Sequence, residues 1–301
     1  FACFPPYFPL EWGPPNIMHR AAIDEPELLV DTHVHTRYSD GIAGIARIER
    51  HCRNRGLGLA ATDHNEIRGA VRLCERERVP VIPGIEVGTE EGIDLLVYFD
   101  SASALEAFYI GAVEPYLRHR FMVRSWIRAE QCLGAAREMG GYISLAHPFA
   151  LGRKSLEYQH GRRGKSFVQI VLDGVDAIEL HNGGVHRQAN LKAGTYAATA
   201  GKRLTVGSDS HRLGTIGSSG TYLSTACGTT PAELFYSLAR HDDLRFKVKG
   251  SATAASLPLL GIIALKHTHH FMRATSRRNN HPVEIRFADR FRFRLEAAKR
   301  N

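Results

Sequence analysis

Asp31-Thr32-His33-Val34-His35 sets two imidazoles two residues apart. On an extended strand, residues i and i+2 share a face, so His33 and His35 can bind one metal ion. The loop that follows adds a carboxylate in Tyr38-Ser39-Asp40-Gly41. Four more segments present the same residue types: Thr62-Asp63-His64-Asn65, Gly84-Ile85-Glu86-Val87, Ala146-His147-Pro148 and Gly207-Ser208-Asp209-Ser210-His211. Taken singly, each could be a helix cap or a satisfied core group. Taken together they would bury several charges without partners, which is costly unless metal ions neutralise them.

The elements that must position these residues are legible from apolar patterning. Short apolar runs precede most of the motifs: Leu28–Val30, Leu57–Ala61, Val81–Ile85, Ile93–Phe99, Tyr142–Ala146, Ala177–Leu180 and Leu204–Val206. Each reads as a buried parallel strand. Helical periodicity marks Ile45–Arg55, Ile67–Arg78, Glu130–Met139 and Arg187–Ala200, with Gly56, Gly140 and Gly201 at stop positions. Alternation of strand and helix predicts a parallel α/β architecture, and seven such strands favour a barrel over an open sheet, closed by a final strand near Tyr222. In parallel barrels the C-terminal strand ends share one rim, so motifs far apart in the chain can meet there. Phe149–Gln169 breaks the rhythm with Arg153, Lys154, Arg162, Arg163 and Lys165 among glycines, and is expected to be a loop over that rim.

Composition narrows the classes. The length of 301 residues with ordinary apolar content suits one large core over residues 27–250, preceded by a Pro-rich irregular extension over 1–26 and followed by a basic segment over 251–301. From Lys266 onward ten Lys/Arg face three acids, so most of the net charge of +8 sits in that last segment. It is read first as a solvated basic face, with attraction for nucleic acid as the alternative. Alternation through Val283, Ile285, Phe287 and then Phe291, Phe293, Leu295 predicts a hairpin there, and His267, His269 and His270 are read as surface residues. The five cysteines form no Cys-x-x-Cys pair, which argues against a disulfide framework or a thiolate zinc site. Phe1–Pro15 lacks the pattern of a secretory signal. Ser251–Leu265, the most apolar stretch, falls short of the ~20 residues a membrane helix needs, so a cytoplasmic protein without membrane contact is expected.

The order Asp-x-His-x-His, Ser-Asp-Gly, Thr-Asp-His, Gly-Ile-Glu, Ala-His-Pro, Gly-Ser-Asp-x-His, spread over residues 28–212, resembles the polymerase and histidinol phosphatase (PHP) family of phosphoesterases. The resemblance implies a distorted seven-stranded (β/α)7 barrel, TIM-barrel-like, with two or three divalent ions (Mn2+, Fe2+ or Zn2+). Carried over by motif position, His33, His35, Glu86 and Asp209 would hold one ion and Asp40, His64 and His211 a second. His147 would hold a third with Glu86 bridging. Where the family supplies a further histidine from the strand after that glutamate, this chain has Asp94, a competent ligand for manganese or iron. Asp31 and Asp63 are expected to orient the histidines. His186 and His211 are the candidate catalytic residues beyond simple ligation, His186 also as a substrate contact, with His181 ranked below it. Arg153, Arg162 and Arg163 are the candidate phosphate grips, because guanidinium forks match phosphate oxygens.

Two ions sharing a water would lower its pKa and deliver hydroxide in line to phosphorus, so no protein nucleophile is required. The expected function is hydrolysis of a phosphate ester of a small phosphorylated metabolite or nucleotide. One alternative is an exonuclease or phosphodiesterase acting on short RNA or DNA, favoured by the basic tail. Another is a non-catalytic metal-binding regulatory domain, whose signature would be lost ligands.

Overall fold

Nine strands join one sheet in the computed structural model, which describes residues 25–117, 124–240 and 244–249. Expectations placed on the N-terminal extension, the C-terminal hairpin and His267, His269 and His270 lie outside the described residues. The order of elements is β1 (Glu27–Val34), α1 (Ile45–Arg55), β2 (Leu57–Ala61), α2 (Arg68–Arg76), β3 (Val81–Gly88), β4 (Asp94–Tyr98), α3 (Ala102–Phe108), α4 (Ala129–Glu138), β5 (Tyr142–Leu145), α5 (Leu156–Arg163), α6 (Lys165–Gly174), β6 (Ala177–Asn182), α7 (Arg187–Ala200), β7 (Arg203–Gly207), β8 (Gly220–Ser224), α8 (Pro231–Arg240) and β9 (Arg245–Lys247). The strands lie in the order β7-β6-β5-β4-β3-β2-β1-β8-β9. The sheet curls into a nearly closed barrel: β1 and the end of β7 approach through a Val34–Ser210 bridge, and Thr32 Oγ1 donates to the Val206 carbonyl at 2.9 Å.

Two features differ from the sequence expectation of seven parallel strands. β4 runs antiparallel to both neighbours, β3 and β5. The connection from β3 to β4 spans only residues 89–93, with Gly92 at φ +105°, and a link that short can make a hairpin but not the crossover that parallel strands require. The strand at Tyr222 pairs antiparallel with β1 and carries β9 on its other side, so it extends the sheet past β1. The segment over Phe149–Gln169, expected as a loop, holds a 3-10 turn at Gly152–Lys154, then α5 and the start of α6.

Side-chain parity divides the barrel interior into two levels. Val30, Ala60, Ile82, Leu96, Tyr98, Tyr142 and Ala177 form an apolar cluster with Leu234, Phe235 and Leu238 of α8, which packs against the barrel there. Two residues further along the parallel strands, the same face turns polar: Gly84 and Glu86 follow Ile82, and Glu179 follows Ala177. The antiparallel β4 reaches the same level from the opposite direction with Asp94. β1 has a register irregularity between Asp31 and Val34. A one-residue slip exchanges the two faces of a strand, and Val34 accordingly packs in the outer core with Ile48 while His33 and His35 face inward. The outer core fills the space between strands and helices; α1, for example, buries Ile48 and Cys52 and ends on Gly56 in the left-handed region at φ +60°.

Among the described residues no helix is long and apolar enough to cross a membrane. Cys52, Cys74, Cys132 and Cys227 are free thiols.

Candidate metal centre

At the polar end of the barrel, side chains from six strand ends and loops converge. Glu86 stands in the middle: its Oε2 lies 3.5 Å from His33 Nε2, 3.4 Å from His35 Nε2 and 2.8 Å from His64 Nδ1, while Oε1 lies 3.1 Å from His147 Nε2. Asp209 Oδ1 is 3.6 Å from His33 Nε2 and 3.0 Å from His35 Nε2. On the other flank, Asp40 faces His35 Nδ1 at 3.4 Å, His64 Nε2 at 3.6 Å and His211 Nε2 at 3.0 Å. Among the described residues, four groups of donor atoms are close enough to share a cation: His35, Asp40, His64 and His211; His33, His147 and Asp209; His33, His35 and Glu86; and Glu86, Asp94 and His147. Residues separated by up to 178 positions in sequence thus meet in one cluster.

The donor set fits divalent cations. Nε2 of His33, both ring nitrogens of His35, Nδ1 of His64, Oε2 of Glu86 and Oδ1 of Asp209 are buried without a hydrogen bond of good geometry, although they crowd one another. Buried polar atoms are normally paired, and imidazole and carboxylate lone pairs aimed at a common point suit manganese, iron or zinc. Without cations the carboxylates favour the protonated form of some of the imidazoles, those of His33, His64 and His211. Burial alone would raise the carboxyl of Asp40, but His64, His211 and His35 outweigh it and hold it well below the carboxylate range. Glu86 is likewise depressed, burial being overcome by His64 and His33. Burial would lower His211, yet Asp40 and Asp209 bring it up to about 9, whereas His35, buried and beside His211, falls to about 4.

The backbone at the strand ends is unusual. His147 has φ +28° and Asp209 φ +51°, and Asn65, next to His64, has φ +48°. Non-glycine residues in this region cost on the order of 1–3 kcal/mol and gather at functional sites. Glycine makes room where backbones close on the cluster. A Cβ on Gly207 would stand 2.4 Å from the Cβ of His33. Gly207→Ala is therefore expected to destabilise the fold by about 1–3 kcal/mol through overpacking, and to weaken metal retention because His33 and Asp209 flank the clash; urea unfolding and metal titration of the variant check both.

The supporting residues differ in part from the sequence expectation. Asp31 accepts the Ser208 N–H at 2.9 Å, the Ser208 hydroxyl at 2.5 Å and the Gly217 N–H at 2.7 Å. Asp63 accepts the Thr36 N–H at 2.7 Å and the hydroxyls of Thr36 and Ser39 at 2.6 and 2.5 Å. Both carboxylates therefore fix the loops that carry Asp209 and Asp40, and the hydrogen bonds they accept come from backbone amides and hydroxyls instead of imidazoles. Burial pushes each up to about 6 against those hydrogen bonds. The carboxylate that steadies an imidazole is Glu179, which sequence reasoning missed: Oε1 is 2.9 Å from His33 Nδ1, and Oε2 accepts the His147 N–H at 2.8 Å and the Asn182 amide at 2.9 Å. A glutamate inside the apolar run Ala177–Leu180 was the available signal.

His186 is exposed at the N-terminus of α7, where its Nδ1 accepts the Gln188 N–H at 3.3 Å. His181 is buried at the end of β6, outside the four donor groups. Arg153 donates to the Glu91 carbonyl at 3.4 Å, and Arg162 and Arg163 stand on the exposed last turn of α5, Arg163 over the ring of Phe167. The cation that does reach the cluster is Lys154, whose Nζ lies 2.5 Å from Asp94 Oδ2. Burial would lower its pKa, but Asp94 and Glu86 hold it above the usual lysine value.

Residues 187–240 match the PHP-associated family. No curated protein matches the chain in sequence. Among solved structures, the fold is similar to that of a lesion-specific endonuclease Q from Pyrococcus furiosus, with TM-score 0.57 and 18% identity over 73% of this chain and 58% of that one. It is also similar to PsfC from Pseudomonas syringae, with TM-score 0.53 and 19% identity over 81% of this chain and 98% of that one. A two-domain protein from Bacteroides vulgatus, described as containing a predicted PHP-like metal-dependent phosphoesterase, aligns with TM-score 0.52 and 15% identity over 80% of this chain and 70% of that one. The PHP-associated match covers the segment that includes α7 and α8, and the six motifs stand in order on one barrel rim.

Proposed function

We propose that this protein is a metal-dependent phosphoesterase acting on a small phosphorylated metabolite or nucleotide. The observation that carries the reading is the convergence of His33, His35, Asp40, His64, Glu86, His147, Asp209 and His211 at one end of the barrel, where imidazole nitrogens and carboxylate oxygens crowd one another within the reach of a shared cation. His33, His35, Glu86 and Asp209 are the residues to hold one ion, and Asp40, His64 and His211 to hold another. Ions bound there supply water activation and neutralise phosphate oxygens. The protein's own part is to fix the donors: Glu179 orients His33, Asp31 and Asp63 lock the loops bearing Asp209 and Asp40, and the strand framework keeps solvent from beneath. His211, partly exposed at the rim, is placed to meet a substrate oxygen as well as a metal. His186, at the start of α7, is the candidate donor of a proton to the leaving group. Arg153, beside the turn that carries Lys154, is the arginine among the three candidates best placed to guide a phosphate towards the rim.

The test is release of phosphate from nucleoside monophosphates, nucleoside bisphosphates and an aryl phosphate, with Mn2+, Fe2+ or Zn2+ supplied in turn and a chelator as control. Turnover that is lost on chelation and restored by metal is the expected outcome; metal-loaded protein inert on all of them would leave the regulatory-domain reading in its place. A nucleic-acid substrate is the second reading, favoured by the similarity to the lesion-specific endonuclease fold, of which this chain spans 58%. Oligonucleotide affinity that falls steeply with salt supports it, and no binding at low salt removes it.

A further inference from the structure

Position 94 is where the sequence departs from the family pattern, and its carboxylate is already engaged by a cation. Lys154 Nζ stands 2.5 Å from Asp94 Oδ2, the same oxygen that lies 3.6 Å from His147 Nε2. Asp94 belongs to the donor group Glu86, Asp94 and His147. A divalent ion in that group would have to bind Asp94 beside an ammonium group, and like charges so close repel.

The lysine is built in, not swung across from a loose loop. It ends the 3-10 turn Gly152–Lys154, which Gly152 enters at φ +73°, and Ser155 then caps α5 by accepting the Glu157 N–H. Gln159, fully buried, donates from one amide nitrogen to the carbonyls of Arg153 at 2.6 Å and Glu91 at 2.9 Å. Arg153 also donates to the Glu91 carbonyl. Glu91 belongs to the tight link between β3 and β4, three residues before Asp94. The turn that bears the ammonium and the strand that bears its carboxylate are therefore latched to each other by two independent side chains.

We propose that Lys154 takes the place of a third metal ion, so that this protein holds two divalent ions and completes its cationic cluster with an ammonium group of its own. The inference rests on the metal-dependent reading above. It assigns Lys154 a positioning role: it holds Asp94 and, through that carboxylate, keeps the third donor group closed to metal.

Metal stoichiometry at saturating Mn2+, by native mass spectrometry and elemental analysis of the full chain, tests this without substrate. Wild type and Lys154→Arg are expected to hold two ions, and Lys154→Met and Lys154→Ala to hold three. Any count other than two in wild type overturns the proposal, a measurement that needs no variant to fold. So does a count of two in a folded Lys154→Met or Lys154→Ala protein. Three ions in wild type with phosphoesterase turnover would sink this inference and leave the proposed function standing; two ions without turnover on any phosphate ester would do the reverse.

Discussion

Glu86→Gln is expected to strip the centre of most of its metal and to reduce phosphate release by more than about 100-fold, since loss of outer supporting residues alone costs ~10–100-fold in metal affinity or activity. Glu86 is fully buried and faces four imidazoles, those of His33, His35, His64 and His147, through two oxygens. Glutamine keeps the shape but removes the charge, and turns one of the two acceptors into a donor. Two cation groups lose a shared anionic ligand, while the remaining carboxylates must balance the same positive charge. Elemental analysis of purified variant beside wild type, with circular dichroism to show that the fold is kept, reads the effect. Full metal content together with wild-type turnover would remove Glu86 from the centre.

The central place of Glu86 was legible in sequence because it ends an uninterrupted apolar run, as do His147 and the Asp209 loop. A charged residue where a buried strand stops has few roles other than ligation or capping, and repeating that pattern at several strands pointed to one rim. Strand direction was not legible in the same way. The run Ile93–Phe99 is apolar whichever way it lies, and only the five-residue link before β4 carries the information that it must turn back on β3. The roles of Asp31 and Asp63 escaped for a related reason. Asp63 adjoins His64, and neighbours in an extended chain point to opposite faces; Asp31 shares parity with His33 in sequence, but the irregularity between Asp31 and Val34 breaks it. Sequence spacing assumes a regular strand, and this site is built where the strand is irregular.

Lys154 and Glu179 mark the limit of motif reading. Lys154 was one of several basic residues in a glycine-containing stretch, and its partner lies 60 positions earlier on a different strand. Nothing local distinguishes it from Arg162 or Arg163, which the helix α5 turns to solvent. The distinction comes from the turn at Gly152 and the latch by Gln159, both properties of the folded chain.

Glu179→Gln is the second large effect. The carboxylate accepts from the His33 ring, the His147 backbone and the Asn182 amide, all buried. A carboxylate only accepts, so a proton on His33 Nδ1 is the one that serves the contact with Glu179, and Nε2, which faces Glu86 and Asp209, is the nitrogen that would give its lone pair to a bound metal ion. An amide has one acceptor oxygen where the carboxylate has two, so in the variant an NH2 group must face either the His33 ring N–H or the His147 N–H, both donors. Relief comes by flipping the His33 tautomer, which places a proton where the metal should bind, or by displacing His147, which already has φ +28°. Either route is expected to lower metal affinity by about 10–100-fold, with a smaller change in the unfolding midpoint of metal-free protein. Titration with Mn2+ followed by activity at saturating metal separates the two: activity that recovers at high metal shows that Glu179 acts through His33 and His147, whereas loss of stability with unchanged metal affinity would make it a purely structural residue.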